Sequence, residues 1–375
     1  MRSFLRVISV SALVAMGIWS AGPATAAQGL AGTGRAPAGV WRSVRLPRTV
    51  IEPAALYSVS AVSRTSAWAA GQEHLGTGSR GLIVHWNGLR WVKEQVPRST
   101  VSVNVISAVS PGDAWALGIA SSGVPVILHR LRGAWRDVPV PPDLRGWNVD
   151  TIAAGGLGTA WVWGYNGSKF GFLLERWNGR AWRRTTVPFL DWGDMVAVKP
   201  VGAQVWTVGR TTTGLTQVLH WDGRSWSQII GPRGTFDLND VLVRRPGDIW
   251  AAGDYCLSAQ PGVGCTNGGG QIAHWNGARW NRVIRQPAVG SVTTISAGRL
   301  GQPQWAGLDV LNPASIIYDH FDGHNWSTVP ATTLRRATGV TSFTARIPGT
   351  GATWAVGYVR NGSTLTAFTQ INNGP

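Results

Sequence analysis

Seven histidines, two cysteines and 18 acidic residues are the groups in this chain of 375 residues that could carry chemistry. Five of the histidines, His85, His129, His220, His274 and His320, sit at one place in a recurring phrase: "HWNGLRW", "HRLRGAW", "HWDGRSW", "HWNGARW" and "HFDGHNW", with "RWNGRAW" from Arg176 as a sixth copy. A side chain repeated once per unit packs unit on unit, so these five read as structural, and only His74 and His324 lie elsewhere. Glycoside cleavage needs two carboxylates flanking one bond. The closest acidic pairs are Asp191 with Asp194 and Asp237 with Asp240, and neither can be assigned that role. A polar residue also recurs where the first strand of a unit starts (Asn104, Asp150, Asp194, Asp240), which fits a structural hydrogen bond. Cys256 and Cys265 fall in one insertion and, in an oxidising compartment, are expected to form a disulfide that orders that loop.

The elements that must position these groups follow from two repeats. Asn-Gly and Asp-Gly in the histidine phrase suit a two-residue type I′ turn, in which both central residues take positive φ, so each copy is expected to be a β-hairpin tip. Upstream of each tip lies a second phrase, as in "SAWAAG" or "DIWAAG", centred on Trp68, Trp115, Trp161, Trp206, Trp250, Trp305 and Trp354, at intervals of 44 to 55 residues. A period of this length marks stacked or radial repeats. Each unit reads as four short strands without a helical period, as in "VISAV", "AWALG", "VPVILH" and "AWRDVPV". The fold class is therefore all-β, a seven-bladed β-propeller of four-stranded blades. The seventh unit stops before its fourth strand, whereas an orphan "VWRSVRLP" precedes the first unit at Val40 to Pro47. This N-terminal strand is expected to close the last blade and leave no free sheet edge around the ring.

Of the 22 tryptophans, all but Trp19, Trp147, Trp163 and Trp192 fall at repeat positions represented by Trp68, Trp86 and Trp91. Burying one contributes roughly 4–6 kcal/mol gross, from about 150–250 Å² at about 25 cal/mol per Å². Residues 1–27 have a basic start (Arg2, Arg6), a short apolar run and "ATAAQ", which describe a secretory signal peptide. Residues 28–39 read as a flexible linker and residues 40–375 as a single propeller domain, with no transmembrane segment in the mature chain. The net charge is +16, and loss of Arg2 and Arg6 would leave +14. That balance favours anionic partners outside the cell. The basic residues are nearly all Arg, with Lys only at 93, 169 and 199, and with abundant Ala, Gly and Val they indicate a GC-rich bacterial coding bias. No basic run exceeds two residues, which speaks against dedicated nucleic-acid binding.

A strand ending in Gly, a hydrophobic strand, a turn, and a Trp opening the next strand resemble the kelch-type repeat, including the central propeller of galactose oxidase-like proteins. The resemblance covers Val40 to Asn373, although the kelch double Gly appears here as Ala70-Gly71, Leu117-Gly118 and Val208-Gly209. What it implies is the architecture. Oxidase chemistry in that family needs copper held by two His and two Tyr, one Tyr cross-linked to a Cys. With five histidines at the repeat position and Cys256 next to Tyr255, that copper site is not supported, and no cofactor or metal is expected. Sialidase-like Asp boxes space Asp and Gly differently from "WDGRSW".

In an antiparallel meander the repeated "SPGD" and "NG" turns share one face, so the variable loops share the other, where function belongs. Trp147 and Trp192 fall there in adjacent blades, with Arg145, Tyr165, Phe170 and Asp191 nearby and Tyr255 and Tyr358 on related loops. Aromatic faces with flanking polar groups suit sugar rings, or they plug gaps between loops. The expected function is a secreted, non-catalytic, monomeric binding propeller for an anionic or neutral extracellular glycan, a cell-wall polymer or a protein. The alternative is an exported polysaccharide lyase or hydrolase using loop acids or His74.

Overall fold

The computed structural model describes residues 39–373, apart from 75–77, 157, 167–170, 188–193, 202–203, 211–214, 261–263, 287–290, 310–314 and 334–337. Each apolar phrase forms a strand, and four consecutive strands make one antiparallel blade. Blades 1 to 6 run Ala54 to Lys93, Thr100 to Val138, Asn148 to Thr185, Asp194 to Ile230, Thr235 to Gln286 and Ser291 to Thr333. Blade 7 takes three strands from Thr338 to Asn372 and its fourth from the N-terminus, Trp41–Ser43. The strands within a blade are called first to fourth, from the axis outward. The only helix among the described residues is a 3-10 turn, Pro142–Leu144.

The second strands are apolar on both faces because a blade has a neighbour on each side. Ala67 and Ala69 pack toward blade 7, in a cluster with Trp354 and Val356. Trp68 and Ala70 pack toward blade 2, against Val103, Ile106 and Leu128. This is why "SAWAAG" shows no polar alternation: one side chain serves one interface and the next serves the other.

All seven first strands carry a β-bulge at an equivalent point, where register shifts leave Tyr57, Asn104, Asp150, Val196, Asn239, Thr293 and Ser342 as extra residues. The bulge pushes the first strand against the second. A Cβ on Gly71, Gly118, Gly253 or Gly357 would overlap the carbonyl oxygen of Ala55, Ser102, Asp237 or Val340. In these four blades the glycine that ends the second-strand phrase is therefore required by this close approach.

The axial edges of the first strands would otherwise present unpaired backbone groups. Side chains of the preceding blade meet them. The Ile106 amide donates to Ser58 Oγ (3.2 Å), Ala108 to Ser60 Oγ (3.0 Å) and Ala154 to Ser107 Oγ (3.0 Å). Between blades 5 and 6, Asp240 Oδ2 accepts from the Ile295 amide (3.1 Å) and Thr294 Oγ1 (2.9 Å). Asp240 Oδ1 also holds Lys199 Nζ of blade 4 at 2.8 Å, and that ammonium lies 5.0 Å from the ring centroid of Phe343 in blade 7. One polar knot thus joins four blades at the axis.

Ring closure is as expected. Trp41, Arg42 and Ser43 pair with Asn372, Ile371 and Gln370, and the Val44 amide extends the ladder to the Thr369 carbonyl at 2.9 Å. Trp41 stacks on Tyr318 of blade 6 at 4.0 Å and meets Trp305 edge-on at 5.0 Å, so the closing strand also seals an interface between blades.

The hairpin tips differ from expectation. In five of them the Asn or Asp keeps a negative φ and only the Gly is positive (Gly88 +93°, Gly179 +97°, Gly223 +103°, Gly277 +97°, Gly323 +98°). Asn87 Oδ1 accepts from the Leu89 and Arg90 amides at 3.1 and 3.0 Å, and Asn178, Asp222, Asn276 and Asp322 do the same. The turn is centred one residue later than Asn-Gly suggests, because the side-chain oxygen replaces the backbone acceptor. Only Arg132 (φ 51°) and Gly133 (φ 84°), between the paired Leu131 and Ala134, make the expected two-residue type I′ turn.

Candidate functional site

The repeated histidines are committed to the fold. Four lie flat on the second-strand Trp of their blades, with ring centroids 4.5 Å apart for Trp68–His85, 3.8 Å for Trp115–His129, 3.7 Å for Trp206–His220 and 4.4 Å for Trp250–His274. His320 is tilted against Trp305 at 4.6 Å, and in blade 3 Arg176 takes the place over Trp161. The imidazole Nε2 atoms bond residues two positions before those Trp: Ser66 (3.0 Å), Asp113 (2.8 Å), Gln204 (3.2 Å) and Asp248 (2.9 Å). Burial holds the His85 and His220 pKa values below the usual imidazole value, against the pull of Glu94 and Asp222 respectively. Glu94 is committed as well, taking the forked guanidinium of Arg130 (2.9–3.2 Å) and the Trp135 indole N–H.

The loop face is where the sequence places binding residues, and the structure brings some of them together. The 3-10 turn Pro142–Leu144 folds the connection between blades 2 and 3 inward, burying Leu144. The Trp147 amide then bonds the Leu144 carbonyl at 3.1 Å. Trp147 is half-buried, packed on the cluster that contains Trp115, Leu144 and Ile152, while Arg145 on the same loop is exposed. Tyr165 is half-buried and pairs with Asn148, the residue after Trp147. Trp147 packs on the blade 2 side of blade 3, whereas Tyr165 lies on the strand face that Trp161 and Trp163 turn toward blade 4, so Arg145, Trp147 and Tyr165 share only the loop-face end of that blade. Trp192, Asp191 and Phe170, expected beside them, lie outside the described residues.

Tyr358 of blade 7 belongs to a different patch. It meets Tyr57 of blade 1 edge-on, with ring centroids 6.4 Å apart, at the loop-face end of the axial channel. Tyr57 is half-buried, and its phenol is pushed upward by burial and by Tyr358. The sequence reading passed over Tyr57. Its signal was available: it occupies the bulge position that is polar in five of the other blades. Tyr255 is 5% exposed and faces the interior instead of solvent. Cys256 is not a free thiol, and the other half of the expected bridge, the Cys265 side chain, lies outside the described residues.

One carboxyl near the Trp147 patch is unusual. Glu175 is 3% exposed at a third-strand position held by Val84, Leu128, Leu219 and Ala273 in four other blades and by the buried Asp319 in blade 6. Burial and the charge of Asp143 push its pKa up to about 7, against the pull of Arg184.

No family model matches the sequence, and no curated protein sequence matches it. Solved propellers share the architecture. The chain is similar to YCF48 bound to D1 peptide, with 15% identity, TM-score 0.56, and coverage of 91% of this chain and 99% of that one. It is similar to the β-propeller domain of Cps50 (Swd1) from Myceliophteria thermophila, with 9% identity, TM-score 0.56, and coverage of 90% and 99%. A third likeness is to the β-propeller domain of the Trilobed protease from Pyrococcus furiosus, with 8% identity, TM-score 0.52, and coverage of 84% and 93%. At these identities the shared property is the fold.

Proposed function

We propose that this protein is an exported, non-catalytic binding propeller that holds an extracellular glycan, a cell-wall polymer or a protein on its loop face. The observation that carries the reading is the set of half-buried aromatic rings and an exposed guanidinium on that face: Arg145, Trp147 and Tyr165 at one end of blade 3, and Tyr57 against Tyr358 at the channel mouth. Rings fixed by packing on one side offer the other to a sugar face or an apolar side chain at little entropic cost. The solved propeller bound to D1 peptide illustrates a partner held by the same architecture. Export rests on residues 1–27, and N-terminal sequencing of the protein from culture medium tests it: a chain starting near Gln28 supports export, and an intact Met1 opposes it.

Binding is tested by co-sedimentation with insoluble glycans and purified cell walls, at low and at high salt. Retention that survives high salt and falls at least about tenfold in Trp147→Ala/Tyr165→Ala, with the melting temperature held, is the expected result. Equal retention of that variant removes the patch from the account. Glu175 favours a second reading, the carbohydrate-active enzyme, because a buried carboxyl whose pKa is raised to about 7 is suited to act as a general acid. Release of reducing or unsaturated ends from a polysaccharide, abolished in Glu175→Gln, would establish it.

A further inference from the structure

Opposite the loop face, the turns between first and second strands of blades 5 and 6 and the end of the first strand of blade 7 enclose a cavity of about 380 Å³. Its polar lining is three arginines, Arg244, Arg245 and Arg346, against a single acid, Asp248. Both oxygens of that acid are engaged, Oδ2 by Arg244 Nη1 at 2.6 Å and Oδ1 by His274 Nε2 at 2.9 Å. Arg346 is anchored by one bond, Nη2 to the Arg299 carbonyl at 2.7 Å, and its Nε is buried without an acceptor among the described residues. Arg245 is exposed and has no ion pair among the described residues. Two guanidiniums thus line one concavity, Arg245 without an ion pair and Arg346 with a single hydrogen bond among the described residues. A planar fork of this kind fits the oxygens of a phosphate or carboxylate.

The same face extends this charge outward. Arg90, Arg132, Arg180, Arg224 and Arg279 occupy the hairpin tips of blades 1 to 5, all exposed and none in an ion pair among the described residues. A lone small anion would use the cavity and ignore the tips, whereas a chain of anionic groups engages both. We propose that the turn face is a second binding surface for an extracellular polyanion, with one of its phosphate or carboxylate groups seated between Arg245 and Arg346. The net charge of +16 would then be partly functional, and it would act on the face opposite the aromatic patches.

The full secreted chain is titrated with long-chain inorganic polyphosphate, with polygalacturonate, with free inorganic phosphate, and with vesicles containing phosphatidylglycerol. The expected result is binding to at least one of the two polymers that weakens steeply with salt, and the polymer preferred identifies the group as phosphate or carboxylate. Arg245→Ala, an exposed substitution, should weaken that binding about tenfold, and Arg346→Lys, which keeps the charge but not the fork, by several-fold. Arg90→Gln/Arg132→Gln should reduce the salt dependence. Trp147→Ala should change none of these, which separates failure here from failure of the loop-face reading. Absence of polymer binding at low salt, equal affinity in Arg245→Ala, or binding to vesicles or free phosphate alone would each overturn the proposal.

Discussion

Asn87, Asn178, Asp222, Asn276 and Asp322 show how one oxygen per repeat shapes a tip. Each accepts from two amides that the hairpin leaves open, so Asn87→Ala is expected to cost about 1 kcal/mol in denaturant unfolding, and Asn87→Asp much less. The stacked imidazoles are a second residue-scale device. Depressed pKa values at His85 and His220 mean that their contribution is complete above the ordinary imidazole pKa and is lost as pH falls through their lowered values. Glu175 has the opposite sign. Its carboxyl titrates near 7 when folded and near 4.5 otherwise, so its stabilising protonated form is complete below about 4.5 and is lost as pH rises through about 7. Melting temperature followed from pH 4 to 8 should therefore show a decline toward neutral pH that is absent in Glu175→Gln; an identical decline in the variant would refute this assignment.

At the scale of elements, the first strand and the closing strand carry the ring. Asp240 serves the Ile295 amide, the Thr294 hydroxyl and Lys199 at once. Asp240→Ala strands a cation and a backbone donor near the axis, and is expected to cost roughly 3–5 kcal/mol. Asp240→Asn keeps an acceptor for the Ile295 amide and should cost less; equal losses would mean that the carboxylate's charge dominates. Removal of residues 40–47 takes away the fourth strand of blade 7 and the Trp41–Tyr318 stack. The truncated chain should melt lower and aggregate through the exposed edge of Thr364–Asn372, both readable by calorimetry and light scattering.

For the whole molecule, period and patterning were enough to read the blade number, the strands per blade and the closing strand, because each is a repeat property that one chain states seven times. What repetition did not reveal was local. Asn-Gly was read as a type I′ turn, but the side-chain oxygen of Asn87 recentres it. The polar residues Asn104, Asp150, Asp194 and Asp240 looked like one position, yet Asn104 and Asp150 sit on the bulge with Asn239, while Asp240 stands one residue beyond it and Asp194 two residues before that of its own blade. Bulges insert a residue without changing composition, so a string of letters does not show them. The candidate site was legible only in part for a related reason: Trp147 and Tyr165 reach the same end of blade 3 through backbone register, and Tyr57 meets Tyr358 across the closure between blades 1 and 7. On the proposed function, a partner is held on the loop face of a closed ring. Hydrogen–deuterium exchange of the purified protein, with and without a bound neutral glycan, checks this. Protection in residues 141–147 and 164–166 and around Tyr57 and Tyr358, with the hairpin tips unchanged, is the predicted result. Protection confined to the tips, or none at saturation, would contradict it.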